Sequence, residues 1–306
     1  MAAASRSSLQ LGAPAPPSDG IGAPALRSFP ATLARRLGKS WQVRIGGAIV
    51  ALLIAIAVLA PYLAPADPTV PDVLHRFQHP FLSRAHWFGT DSLGRDIFSQ
   101  VVHGSRISLS IGLISVGIAA AAGIVLGVLA GFYRRLDDLI MRIMDVLLAF
   151  PNLLLAIAIV AALGPSLQNA MIAVGVGGIP GFVRIVRSAV LRVRANEYVD
   201  AARAIGVRDG RVLARHVLPN ISSEIIVTTT LGIAAAILAA AGLSFLGLGA
   251  QPPTPEWGAM ANLAKDYLNI APYWSFFPIA AIFVTILGFN FLGDGLRDAL
   301  DPRLYR

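Results

Sequence analysis

The sequence predicts an all-α protein that crosses a membrane six times with both ends on the cytoplasmic side. Three observations predict it: a composition suited to lipid, six long apolar runs, and a lopsided placement of arginines. Of 306 residues, 56% are hydrophobic and 14% charged, against about 25% charged in an ordinary soluble domain. Runs with no charge over roughly 18 or more residues are what a spanning helix needs.

The runs fall at residues 45–63, 107–133, 146–163, 168–183, 225–248 and 271–293. The fourth is short and glycine-rich, and is extended by Arg184 if that side chain snorkels. Pro151 and Pro180 are expected to kink or break the third and fourth spans. In the second, Gly123, Gly127 and Gly131 repeat every four residues and line one face, where a neighbouring backbone can approach closely. That neighbour belongs either to this chain or to a partner; the spacing fits both.

Orientation follows from charge. Six spans place both termini and the loops after the second and fourth spans on one side. That side collects Arg35, Arg36, Lys39 and Arg44, then Arg134, Arg135 and Arg142, then eight arginines from Arg184 to Arg215, and Arg297, Arg303 and Arg306. Positive loops stay in the cytoplasm, so the chain reads as a multi-pass membrane protein whose termini and arginine-rich loop are cytoplasmic. A net charge of +8 is accounted for by lipid headgroups and requires no nucleic acid. Without cysteine there is no disulfide or thiolate metal site.

The chain divides into a mobile cytoplasmic tail (1–43), a first span with an external loop (44–106) and a core (107–306) carrying a cytoplasmic loop at 192–220. The tail is rich in Ala, Pro, Ser and Gly and buries little. Its Gly38-Lys39-Ser40 has the ending of a phosphate loop but lacks the strand and the earlier glycine. The external loop, 64–105, is long for a connection, and its second half predicts a short surface helix capped by Thr90 or Asp91, with Leu93, Ile97 and Val101 on one face. A second external loop, 249–270, is stiffened by Pro252, Pro253 and Pro255, and Trp257 and Trp274 are expected at the membrane interface.

Among single residues, His75, His79 and His86 lie on the first external loop. Pro80 opposes a helix that would hold the first two as a metal pair, so no metal site is assigned. Arg142 and Asp145 are expected to pair with each other, and Glu224, just before the fifth span, either to face a cavity or, as its place near the cytoplasmic end favours, to snorkel. Neither a nucleophile–base set nor a complete nucleotide loop is visible, so the chain is not read as an enzyme.

The cytoplasmic stretch Glu197-Tyr198-Val199-Asp200-Ala201-Ala202-Arg203-Ala204-Ile205-Gly206 precedes Leu218-Pro219-Asn220. It predicts two short helices about a glycine, the second capped by Asp209, shaped either for a protein groove or for resting on headgroups. At this point the sequence resembles the inner-membrane permeases of binding-protein-dependent importers, whose signature is Glu-Ala-Ala, glycine, then Leu-Pro. Asp200 stands where that family usually has glutamate, which keeps the charge and shortens its reach. The external Gly89-Thr90-Asp91, followed by Gly94-Arg95-Asp96, is similar to the dipeptide, oligopeptide, nickel and opine branch, as are Gln251-Pro252-Pro253 and Gly293-Asp294-Gly295 near the end.

The resemblance implies an ATP-driven importer subunit moving di- or oligopeptides inward. It also implies two ATPase partners that hold ATP and magnesium, a second related permease and an extracytoplasmic solute-binding protein. This chain itself would need no cofactor. Asp200, Ala201, Ala202 and Gly206, with Leu218 and Pro219, are then the expected ATPase contact. The rival reading is an ion-coupled secondary transporter, which would carry ionisable groups inside its spans; here the span interiors are almost free of them.

Overall fold

A computed structural model describes residues 40–82 and 86–300. Most of the tail therefore lies outside the described residues, but its expected boundary moves: helix α1 runs Trp41–Leu63, so residues 41–43 belong to the first span. Ser40, the last residue of the phosphate-loop fragment, is the N-cap of α1, its hydroxyl accepting from Val43 N at 3.4 Å. The other helices are α2 (Ile97–Phe132), α3 (Arg134–Leu148), α4 (Asn152–Leu163), α5 (Leu167–Arg194), α6 (Glu197–Ala204), α7 (Asp209–Val212), α8 (Leu218–Phe245), α9 (Trp257–Ala264) and α10 (Pro272–Leu300).

Helices α1 and α10 lie antiparallel along a glycine seam. A Cβ on Gly46 would overlap the backbone at Leu292, one on Gly295 would sit 2.6 Å from a Val43 methyl, and the Trp41 and Phe291 rings meet at 5.6 Å. The start of the first span and the end of the last therefore share one side of the membrane.

The expected surface helix before the second span does not exist as a separate element. Helix α2 has 36 residues, about 54 Å at 1.5 Å per residue, far more than the ~30 Å hydrocarbon core. Its first turns stand outside the bilayer and run unbroken into the span. Nor do Thr90 or Asp91 cap it: Asp96 does, accepting from Ser99 N at 2.7 Å. No proline interrupts 97–107, so nothing stops the helix there.

Among the described residues five helices are each long and apolar enough to cross a membrane, and the third run makes a sixth span when the bent pair α3 and α4 is counted as one. Helices α3 and α4 meet at 87° around Pro151, which is the expected break. Their contacts with α5 come in reverse chain order: Asp137 pairs with Arg187, Asp145 with Arg184 at 2.6 Å, and Asn152 abuts Gly177. The expected Arg142–Asp145 pair is thus replaced by a pair between helices, because the antiparallel neighbour delivers Arg184 to the Asp145 carboxylate.

Pro180 does not break the fourth span. Helix α5 continues through it for 28 residues, extending well beyond the expected end. A proline removes one ladder bond, whereas interrupting a helix in lipid would leave several backbone groups without partners.

The neighbour of the glycine face in α2 is α5 of the same chain. Gly123 touches Phe182, Gly127 meets Val186 at 2.7 Å from its would-be Cβ, and Gly131 meets Val190 at 2.7 Å. Two stripes of four-residue period interlock, and the nearest atoms are Cβ carbons that cannot swing away. Gly123→Ala is therefore expected to destabilise the bundle by about 1–3 kcal/mol, read as a lower unfolding midpoint of the purified protein in detergent.

Outside the membrane, α9 tucks under the first turns of α2. Trp257 and Trp274, expected at the lipid interface, are each 1% exposed and join Ile97, Met260, Ala264 and Ala271 in an external core. The Trp257 indole N–H donates to Val101 O at 3.0 Å. Two large rings were available to build a small core there, and burial against α2 removes more apolar surface from water than an interfacial position would.

Candidate functional site

The cytoplasmic end of the bundle carries the helix pair that the sequence singled out. Helix α6 ends in a Schellman motif: Gly206 N donates to Arg203 O at 2.9 Å and Val207 N to Ala202 O at 3.1 Å. This closure needs a left-handed residue after the cap, and Gly206 supplies it with φ +81°. The expected cap at Asp209 is displaced by one residue, since Arg208 is the N-cap of α7 and Asp209 is its first helical residue.

Two faces separate cleanly. Val199, Ala202, Val212, Val217 and Ile221 are buried against Val128 and Phe132 of α2 and Val186, Ala189 and Val190 of α5. Asp200, Ala201, Ala204, Ile205 and Gly206 face outward, Ile205 being 82% exposed. Ala202, named with the expected contact, is buried in this cluster, while Ala201, Ala204 and Ile205 lie on the outer face. The motif's alanines thus fall on both sides of so short a helix.

Leu218 and Pro219 open α8 and are both exposed. Just before them, residues Leu213–Val217 form a single wide turn, closed by Leu218 N donating to Leu213 O. Pro219 has no N–H to offer the regular ladder, and a wide turn absorbs that defect without ending the helix. The joint is tied to α6 through Asn220, which lies 3.5 Å from Tyr198 Oη.

Above this element lies a cavity of about 1050 Å³ walled by α2, α4, α5, α8 and α10. Its deep wall is apolar or neutral, with Ser115, Asn152 and Thr228 as polar groups; its charged residues, Arg192, Glu224 and Arg297, sit at the cytoplasmic mouth. Glu224 does face a cavity there and pairs with Arg192 at 2.8 Å, rather than simply reaching for solvent.

The external motif is a folding knot. The buried Asp91 carboxylate accepts from Leu93 N (2.8 Å), Arg95 N (2.9 Å), Arg95 Nε (2.7 Å) and Gln100 Nε2 (3.0 Å). Asp96 accepts from Ser99 N and Oγ and bonds His86 Nδ1 at 3.2 Å. Thr90 Oγ1 accepts from Gln78 N at 2.9 Å and donates to His75 O. Gly89 and Gly94 take positive φ, and a Cβ on Gly94 would collide with the Asp72 carbonyl. The loop histidines go to separate neighbours: His75 to Asp72 at 2.7 Å, His86 to Asp96, and His79 to the Tyr273 ring. The His75 contact holds the Asp72 carboxyl below its usual range.

Glu256, missed by sequence reading, is a third buried external carboxylate beside Asp91 and Asp96. It caps α9 by accepting from Gly258 N (3.0 Å) and Ala259 N (2.9 Å). Burial pushes its carboxyl pKa upward against those bonds.

The helices thus form a membrane bundle around a cavity with a neutral deep wall, with a helix pair hung beneath it. Residues 123–306 match the binding-protein-dependent transport system inner membrane component, and residues 30–80 match the N-terminal TM domain of oligopeptide transport permease C. The chain is 48% identical over 271 residues to the dipeptide transport system permease protein DppC of Alkalihalophilus pseudofirmus, with 88% of each covered. It is 51% identical over 275 residues to the glutathione transport system permease protein GsiD of Pectobacterium atrosepticum, covering 88% of this chain and 90% of that one. In fold it is similar to a chain of the MetNI methionine ABC transporter in an inward facing conformation, with a TM-score of 0.56 at 18% identity over 66% of this chain and 97% of that one.

The chain belongs to the family of binding-protein-dependent transport system inner-membrane components. It is the translocation subunit of a bacterial ATP-driven importer, a multi-pass inner-membrane protein of a class that works with ATPases and a binding protein. Membership in this family decides against the ion-coupled reading.

Proposed function

We propose that this subunit carries di- or oligopeptides inward and that ATP turnover reaches it through residues 192–220. The carrying observation is the two-faced helix pair: one side rooted in α2 and α5, the other presenting Ala201, Ala204 and Ile205 around a left-handed glycine. An exposed isoleucine among alanines on a cytoplasmic projection fits a protein groove better than water. In this reading Asp200, Ala201 and Gly206, with Leu218 and Pro219 behind them, meet an ATPase subunit. Two ATPases holding ATP and magnesium, and a second related permease completing the cavity wall, make up the importer; rigid-body closure of the ATPases turns the spans.

The peptide assignment rests on the likeness to the dipeptide and glutathione permeases, and the size and neutral walls of the cavity suit a solute of that class. The test is reconstitution with the partner ATPases and receptor in proteoliposomes. Inactivating the catalytic carboxylate of the ATPase should abolish peptide uptake, and the ATPase should copurify with this chain. Uptake that survives ATPase inactivation would overturn the assignment.

A further inference from the structure

The eight arginines from Arg184 to Arg215 signal topology in the sequence, yet four of them, on the cytoplasmic third of α5, have specific partners. Arg187 grips Asp137 of α3 with two nitrogens, Nε at 2.5 Å and Nη2 at 2.7 Å. Arg184 pairs with Asp145 of the same helix at 2.6 Å. Arg192 reaches Glu224 of α8 at 2.8 Å. Arg194 donates to Phe132 O at 3.0 Å and Gly131 O at 3.4 Å, satisfying carbonyls left open at the end of α2.

Successive arginines of one helix thus fasten three other spans just above the point where α5 enters the helix pair. Arg203 of α6 adds a further tie, its guanidinium 4.8 Å from the Phe132 ring centroid. Topology alone needs positive charge on this side and does not need each charge to select a different helix.

We infer that Arg187 is a positioning residue that makes the broken third span move as one body with the helix pair, to which α8 is already joined through the wide turn at Leu213–Val217. This rests on the coupling role proposed above. The ties are unequal. Arg187–Asp137 is forked and only 30% and 19% exposed, whereas Arg184–Asp145 is half exposed on both sides and Arg192–Glu224 is 56% and 37% exposed, and exposed pairs hold weakly. Planar two-point contact is what arginine gives and lysine does not, so the inference singles out Arg187 for its shape as well as its charge.

The test uses the complete importer in proteoliposomes, reading solute uptake and ATP hydrolysis together. Arg187→Gln should lower uptake per ATP hydrolysed about tenfold, Arg187→Lys should fall between it and wild type, and the exchanged pair Arg187→Asp with Asp137→Arg should recover most of the loss. Spin labels on α3, α6 and α8 provide a second reading that does not depend on the variants. On ATP binding, the label distances from α6 to α3 and to α8 should stay fixed while all three move against α1. An α6 that moves without α3 and α8, or an Arg187→Gln importer with unchanged uptake per ATP, would overturn the inference. An α6 that does not move at all would instead sink the coupling role beneath it.

Discussion

Asp91→Ala should cost roughly 3–5 kcal/mol of stability, the penalty for leaving a buried cation without its counter-ion. Asp91 is fully buried and Arg95 is 6% exposed, with Arg95 Nε at 2.7 Å and three further donors aimed at the same two oxygens. Removing the carboxylate orphans all four donors in one step. Asp91→Asn keeps an acceptor but loses the charge, and should recover only part of the loss. Thermal unfolding of the purified protein measures the difference, and an unchanged midpoint for Asp91→Ala would refute the knot as a source of stability.

Gly206→Val should leave the protein inserted and folded while cutting ATP-driven uptake at least about tenfold. The reasoning separates strain from crowding. Around Gly206 a Cβ would meet nothing within 4 Å, so a side chain fits; the obstacle is φ +81°, which costs an L-residue roughly 1–2 kcal/mol and a β-branched one more. The chain relieves that strain by opening the Schellman closure, which turns α7 relative to α6. Asparagine tolerates the left-handed region, so Gly206→Asn should retain much more uptake than Gly206→Val. Equal uptake in the two variants would show that the turn's conformation is not what matters.

These two positions also show what was legible in the residues. Gly206 was readable because a glycine between two short amphipathic segments has few other uses, and the structure gives it the expected turn. Asp91 stood out in a motif, but its task did not. Sequence reading made it a helix cap, whereas that office belongs to Asp96 five residues on, since both carboxylates precede a plausible helix and only three-dimensional closure tells which amide each can reach.

The six apolar runs located the spans because lipid imposes a rule that acts along the chain alone. Prolines illustrate the limit of such rules. Pro151 breaks its span and Pro180 does not, although both sit among small and apolar residues; the outcome depends on the packing around each. The Trp257 and Trp274 assignments failed for a related reason. Indoles favour an interface only when no protein core competes for them, and α9 over the start of α2 builds one. The ion pairs were the least legible, because Asp137, Asp145 and Glu224 each take a partner from a different helix.

The cavity has one consequence for what the importer can distinguish. Its deep wall offers two hydroxyls, an amide and bare backbone at glycines, with no fixed charge to seize an ammonium or a carboxylate. Such a surface lubricates: it can satisfy almost any amide that slides past and clings to none. Choice among cargoes must then be exercised before entry, and exchanging the receptor, with this corridor left as it is, should be enough to change the diet of the cell.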